Sequence, residues 1–196
     1  MYLYVHPYGT YYIPSIISAA EVDYRNSVRL IWEQHIAWTR STVMSLIFNL
    51  PDIDFVVARL LRNAKDNGDS LKPFYGNEVG EEYSRLIHEH LTIAADLVKA
   101  AIAGDSAKFE SLDKKWHGNA DEIAILLSTI NPYLNRQAVQ QLMYHHLELL
   151  KEETVAILHG DYKLGVEKYD ETEIQILTLA DAISNAIIKQ FPAFFR

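Results

Sequence analysis

The sequence contains no cysteine, and that single absence removes a block of chemistry. Disulfides, thiolate-held zinc, iron–sulfur clusters and cysteine nucleophiles are all excluded. No apolar run reaches the roughly 20 residues needed to span a bilayer. The N-terminus shows neither a basic leader nor a small-residue cleavage site, so a cytoplasmic protein is expected. Positive charge is scarce as well: 18 Lys+Arg against 26 Asp+Glu give a net charge of -8 and a pI near 5.4. Such a chain lacks the basic face that displaces counterions from nucleic acid, and it carries no polybasic cluster for a membrane surface. The motifs Gly-x-Gly-x-x-Gly, Gly-x-x-x-x-Gly-Lys-Ser/Thr and Gly-x-Ser-x-Gly are all missing. Their absence argues against dinucleotide, P-loop and hydrolase-elbow sites and leans away from an enzyme.

What is present is a chain of 196 residues, 49% hydrophobic and 22% charged, enough for one domain with a substantial core. Six of its 12 tyrosines fall within residues 1–24 (Tyr2, Tyr4, Tyr8, Tyr11, Tyr12 and Tyr24), where Pro7, Gly9 and Pro14 oppose helix. This stretch reads as an extended arm that lays rings on the body or on a second copy, which predicts a homo-oligomer. Residues 25–196 read as one helical domain. Apolar residues recur at three and four in Ile31, His35, Trp38 and Thr42, then in Val56, Leu60 and Asn63. The same spacing governs Tyr83, Leu86, Ile87, His90, Leu91, Ala94 and Leu97. Breaks are expected at Asn67–Pro73, Gly104-Asp105, Asn131-Pro132, Gly160-Asp161 and Phe191-Pro192. A final helix is expected from about Val166. No sustained alternation marks a strand, so the fold class is all-α, an up-down bundle of about six helices.

An internal repeat runs through this pattern. His90-Leu91 to Gly104-Asp105 matches His146-Leu147 to Gly160-Asp161, and Ala120-Asp121 to Pro132 matches Ala180-Asp181 to Pro192. A fainter copy aligns His35 with His90 and Asn63 with Asn119. Two or three helical hairpins are therefore expected, over about residues 25–73, 77–132 and 135–192. They must stack, because one amphipathic hairpin cannot bury its own stripe.

His35, His90 and His146 stand at the same place in each copy, mid-helix and beside an apolar stripe. Imidazoles on facing helices are the raw material of a bundle metal site for iron, zinc or manganese. Glu33, Glu89, Asp121 and Asp181 are the carboxylates available as further ligands. The competing reading makes each histidine a polar anchor that fixes helix register. The Glu-x-x-His signature of di-iron bundles is missing. Trp38, Arg59, Trp116 and Asn119 are candidates for a small-molecule pocket, with Arg59 needing a carboxylate from Glu33, Asp121 or Asp181.

Several strings, among them Trp32-Glu33-Gln34-His35, Pro73-Phe74-Tyr75-Gly76, Asn119-Ala120-Asp121-Glu122 and Gly160-Asp161-Tyr162, resemble a family of small proteins from Bacillus and Clostridium relatives. The resemblance runs from about Trp32 to Pro192 and extends to the Tyr-rich arm. Genomes often label that family "acetylglutamate kinase". This sequence does not support the label, because a kinase of that fold is α/β with Gly-rich phosphate loops. A looser likeness, of architecture alone, is to ferritin-like and hemerythrin-like bundles. The function expected is a non-enzymatic binding or structural role, with a metal-binding bundle as the alternative.

Overall fold

The computed structural model describes residues 17–196, and every described regular element is helical. Five helices follow in order: α1 (Ala19–Ile47), α2 (Ile53–Ala103), α3 (Ser106–Ile130), α4 (Arg136–Leu158) and α5 (Tyr162–Gln190). A 3₁₀ turn at Pro192–Phe195 closes the chain. Most of the expected Tyr-rich arm, residues 1–16, lies outside the described residues. Residues 19–24 belong to α1, whose first turn is capped by Ser18 accepting from the Glu21 amide at 3.1 Å. Among the described residues no helix is long and apolar enough to cross a membrane.

Five helices stand where about six were expected, with α2 counted as one: its break falls at Gly76, just past the stretch Asn67–Pro73 where it was foreseen. Locally those residues are turn formers, but tertiary contacts override them. Asn67 is buried and turns its amide back onto Asn63, donating to the backbone oxygen at 3.1 Å and to Oδ1 at 3.0 Å. Gly68 faces Gly80, and a Cβ added at Gly68 would lie 2.3 Å from the Gly80 oxygen. The helix departs from its path at Gly76 (φ 83, ψ 173), a conformation open to glycine alone. The arms 53–75 and 77–103 fold back on each other there, with Gly68 and Gly80 in backbone contact.

The other boundaries follow their caps. Gly104 takes the left-handed conformation (φ 66) after α2, and Asp105 accepts from the Lys108 amide at 3.0 Å to start α3. Asn135 caps α4 and Asp161 caps α5 in the same way. The Asp161 cap explains why α5 begins at Tyr162 instead of Val166.

Successive helices lie side by side, and α5 returns against α1. The second arm of α2 joins α1 and α4 around the centre. In each of these three, the residues seven and three before the histidine and four and seven after it are buried. They are Val28, Trp32, Thr39 and Thr42 around His35; Tyr83, Ile87, Ala94 and Leu97 around His90; and Val139, Met143, Leu150 and Glu153 around His146. That spacing is a heptad seam, so the three helices present matching layers to one axis. Each large apolar side chain buried this way contributes about 1.5–3 kcal/mol. The three histidines interrupt the apolar stack in its middle.

Candidate metal centre

The three histidines meet. Their ring centroids are 6.1 Å (His35–His90), 5.8 Å (His35–His146) and 6.0 Å (His90–His146) apart, a nearly equilateral triangle. One nitrogen from each ring lies within 4.8 Å of the others, and all three side chains are buried. Trp32 walls the cluster at 5.2 Å from His35, and Trp116 at 5.1 Å from His90.

Two of the rings are held by asparagines on the neighbouring helix segment. Asn63 Nδ2 donates to the Ile31 backbone oxygen at 2.8 Å, four residues before His35. This fixes the amide so that Oδ1 accepts from His35 Nδ1–H at 3.0 Å. Asn119 does the same for His90: Nδ2 donates to the Leu86 oxygen at 3.0 Å and Oδ1 accepts from Nδ1–H at 2.9 Å. With the proton on Nδ1, the lone pair of each ring sits on Nε2. His90 Nε2 is buried without a partner.

Gln175 on α5 takes the corresponding place for His146. Its Nε2 donates to the Leu142 oxygen at 2.7 Å, again four residues before the histidine. Here the pattern stops short: Gln175 Oε1 and both nitrogens of His146 are buried without partners. Counted from the histidines, Asn63, Asn119 and Gln175 are the equivalent residues, at 28, 29 and 29 positions on. The alignment of Ala120-Asp121 with Ala180-Asp181 instead paired Asn119 with Leu179, one helical turn away. It thereby missed Gln175.

Burial dominates the electrostatics. It pushes the pKa of His35 down to about 4, against the opposing bond to Asn63. It pushes His90 down to about 3, with His35 adding to the effect. His146 is held well below its ordinary value by burial and then by its three histidine neighbours, His35, His90 and His145. At neutral pH the cluster is three uncharged imidazoles with lone pairs to offer.

The expected carboxylates are not brought to it. Glu33 lies beside Glu173, and its pKa is raised by burial and then by that neighbour. Glu89 pairs with Lys115 at 3.0 Å and Arg85 at 3.4 Å. Asp121 accepts from Tyr144 at 2.8 Å and Gln140 at 2.6 Å. Asp181 takes a two-pronged bond from Arg29 at 2.7 and 2.5 Å. Arg59 finds no carboxylate: it donates to Gln34 at 2.7 Å and stacks 5.2 Å over Trp38. The pocket foreseen from Trp38, Arg59, Trp116 and Asn119 thus divides, with Trp116 and Asn119 packed around His90.

Three imidazoles on one ion at 2.0–2.1 Å need nitrogen separations of about 3.4–3.6 Å, so a closure of about 1 Å separates this cluster from a ligand set. Each ring nitrogen then moves about 0.7 Å inward, a side-chain rotation of roughly 10°, which stays within one rotamer well. No protein-family model, curated protein or solved structure matches the chain.

Proposed function

We propose that this protein binds one transition-metal ion through Nε2 of His35, His90 and His146. The observation that carries the reading is the convergence of three buried imidazoles, two of which, His35 and His90, commit their Nδ1 protons outward to asparagines and so keep Nε2 as the acceptor. His90 Nε2 and both nitrogens of His146 are buried without partners, which costs free energy, and a shared cation offers these two rings a partner together with His35. The asparagines then act as outer partners that orient the rings, the arrangement that metal-bound histidines ordinarily have. An ion would also draw His146 into place and give its Nδ1–H reason to meet Gln175 Oε1. The donor set favours zinc, iron or copper; manganese prefers oxygen ligands, which this cluster does not offer. Bound between three hairpins, the ion would act as a staple that ties the bundle through its centre.

The same reading takes the two arms of α2 as separate rods, which makes six rods in three hairpins with one His–amide pair each. Duplication of a hairpin of about 55 residues accounts for the equal spacing. Self-association through the Tyr-rich residues 1–24 is an independent proposal that rests on composition, and light scattering on a chain lacking residues 1–16 tests it.

The test of the metal reading is elemental mass spectrometry on untagged protein purified without chelator, followed by anaerobic reconstitution of the stripped protein with zinc, ferrous and cuprous ions. About one ion per chain, lost in His146→Leu but kept in Glu89→Gln, is the expected result. A folded protein that takes up none of these ions would leave the histidines as polar anchors.

A further inference from the structure

Resting on the metal reading, we infer that the ion this cluster selects is monovalent copper, Cu(I), held by three neutral imidazoles. Charge makes the first argument. Among the described residues no carboxylate joins the group of three histidines: Glu33 lies beside Glu173, and Glu89, Asp121 and Asp181 are tied to partners elsewhere. Glu153 is the acidic residue of the inner seam. It stands seven residues beyond His146, about 10 Å along the helix, where it is paired with Arg40. An ion in the cluster therefore keeps its full charge in a dry core. The cost of burying it rises with the square of the charge, roughly four times more for a divalent ion than for a monovalent one.

Geometry makes the second argument. The ring triangle is equilateral to within 0.3 Å, with centroid separations of 5.8 to 6.1 Å, which suits a three-coordinate ion. Zinc asks for a fourth ligand. The layers on either side offer little to supply one. On one side stand Trp32, Ile87 and Met143, whose only metal-binding atom is the soft thioether, a copper(I) ligand by preference. On the other stand Thr39, Ala94 and Leu150, and the Thr39 hydroxyl already donates to the His35 backbone oxygen at 2.7 Å. These three help line a small apolar cavity with room for about one water-sized molecule, too poor in polar partners to hold that water as a ligand. Cu(I) needs neither the fourth ligand nor the counter-charge.

The experiment is an anaerobic competition on the full chain. Cu(I) is supplied from bicinchoninate and Zn(II) from a chromophoric zinc chelator, with circular dichroism to verify folding. One Cu(I) per chain is expected, bound about a thousandfold more tightly than Zn(II). Thr39→Asp, which sets a carboxylate in the cavity beside the ring, is expected to narrow that gap at least about tenfold by favouring the divalent ion, while Thr39→Asn leaves it unchanged. Zinc binding as tight as copper in the unsubstituted chain would overturn the copper assignment and leave the metal reading standing. Uptake of no ion at all would overturn both.

Discussion

His35 and His90 differ from His146 in one partner, and the difference separates what the fold holds from what a ligand would have to hold. Each of the first two has an asparagine that spends its N–H on a backbone oxygen and its oxygen on the ring. The third has a glutamine, one methylene longer, that makes the backbone bond and leaves its oxygen and the ring unmatched. Two rings are thus locked in tautomer and orientation by the protein alone. The third is placed by packing but not aimed, so it is the part of the site that binding must organise.

Acid provides the largest way to break this comparison. Each histidine has a folded pKa depressed below its ordinary value near 6.5, so the unfolded chain binds protons that the folded chain refuses. Stability is fully present above pH 6.5 and falls as pH drops toward the folded values, by about 1.4 kcal/mol per pH unit for each ring. Glu153 runs the other way: burial, against the pull of Arg40, raises its pKa to about 7, so it gains stability as pH falls from 7 to about 4.5. The three rings outweigh it. Metal-free protein should unfold cooperatively between about pH 6 and 4 in a circular-dichroism titration, and His35→Gln or His90→Gln should make the dependence shallower.

Metal is the next lever. At a free concentration a thousand times the dissociation constant, one ion stabilises by about 4 kcal/mol, which raises the melting temperature of a chain this size by about 8–16 °C. His146→Leu should abolish that shift in differential scanning calorimetry. The amides sharpen the contrast further without metal. Asn119→Leu strands the His90 Nδ1–H, while the Leu86 oxygen loses its second bond but keeps the helical one from the His90 amide, and should cost about 2–3 kcal/mol by urea denaturation. Gln175→Leu strands nothing, because the Leu142 oxygen keeps its helical bond from the His146 amide, and should cost about 0.5–1.5 kcal/mol for the one bond lost. Equal losses would contradict the distinction between aimed and unaimed rings. The smallest effect belongs to the half-buried surface carboxylates: Glu89→Gln and Asp181→Asn should change stability by about 1 kcal/mol or less and leave metal affinity unchanged.

The helical class was legible because the three-and-four spacing is strong and strand signals are weak. The three histidines were legible for the same reason, since one period places them mid-helix on a shared stripe. Their carboxylate partners were not. A period assigns Glu33, Glu89, Asp121 and Asp181 to faces, but it cannot say that Glu173, Lys115, Tyr144 and Arg29 are waiting across the next groove. Gln175 escaped because a longer amide makes only the backbone half of the asparagines' bonding, and the Ala-Asp strings offered a competing register one turn away. The bend in α2 was placed at Asn67–Pro73 because those residues favour turns locally. Burial of Asn67 and the contact between Gly68 and Gly80 carried the helix on to Gly76, and neither contact can be read from nearby sequence.

The central claim is that three buried imidazoles converge with their Nε2 lone pairs free. Long-range proton–nitrogen NMR of the histidine rings, before and after anaerobic addition of one equivalent of the diamagnetic ion Cu(I), reads those nitrogens directly. The account predicts Nδ1–H tautomers for His35 and His90 in the metal-free protein, followed by a shift of all three Nε2 resonances in step. Protons found on Nε2 of His35 and His90, or Nε2 resonances that stay in place on addition of the ion, would contradict it.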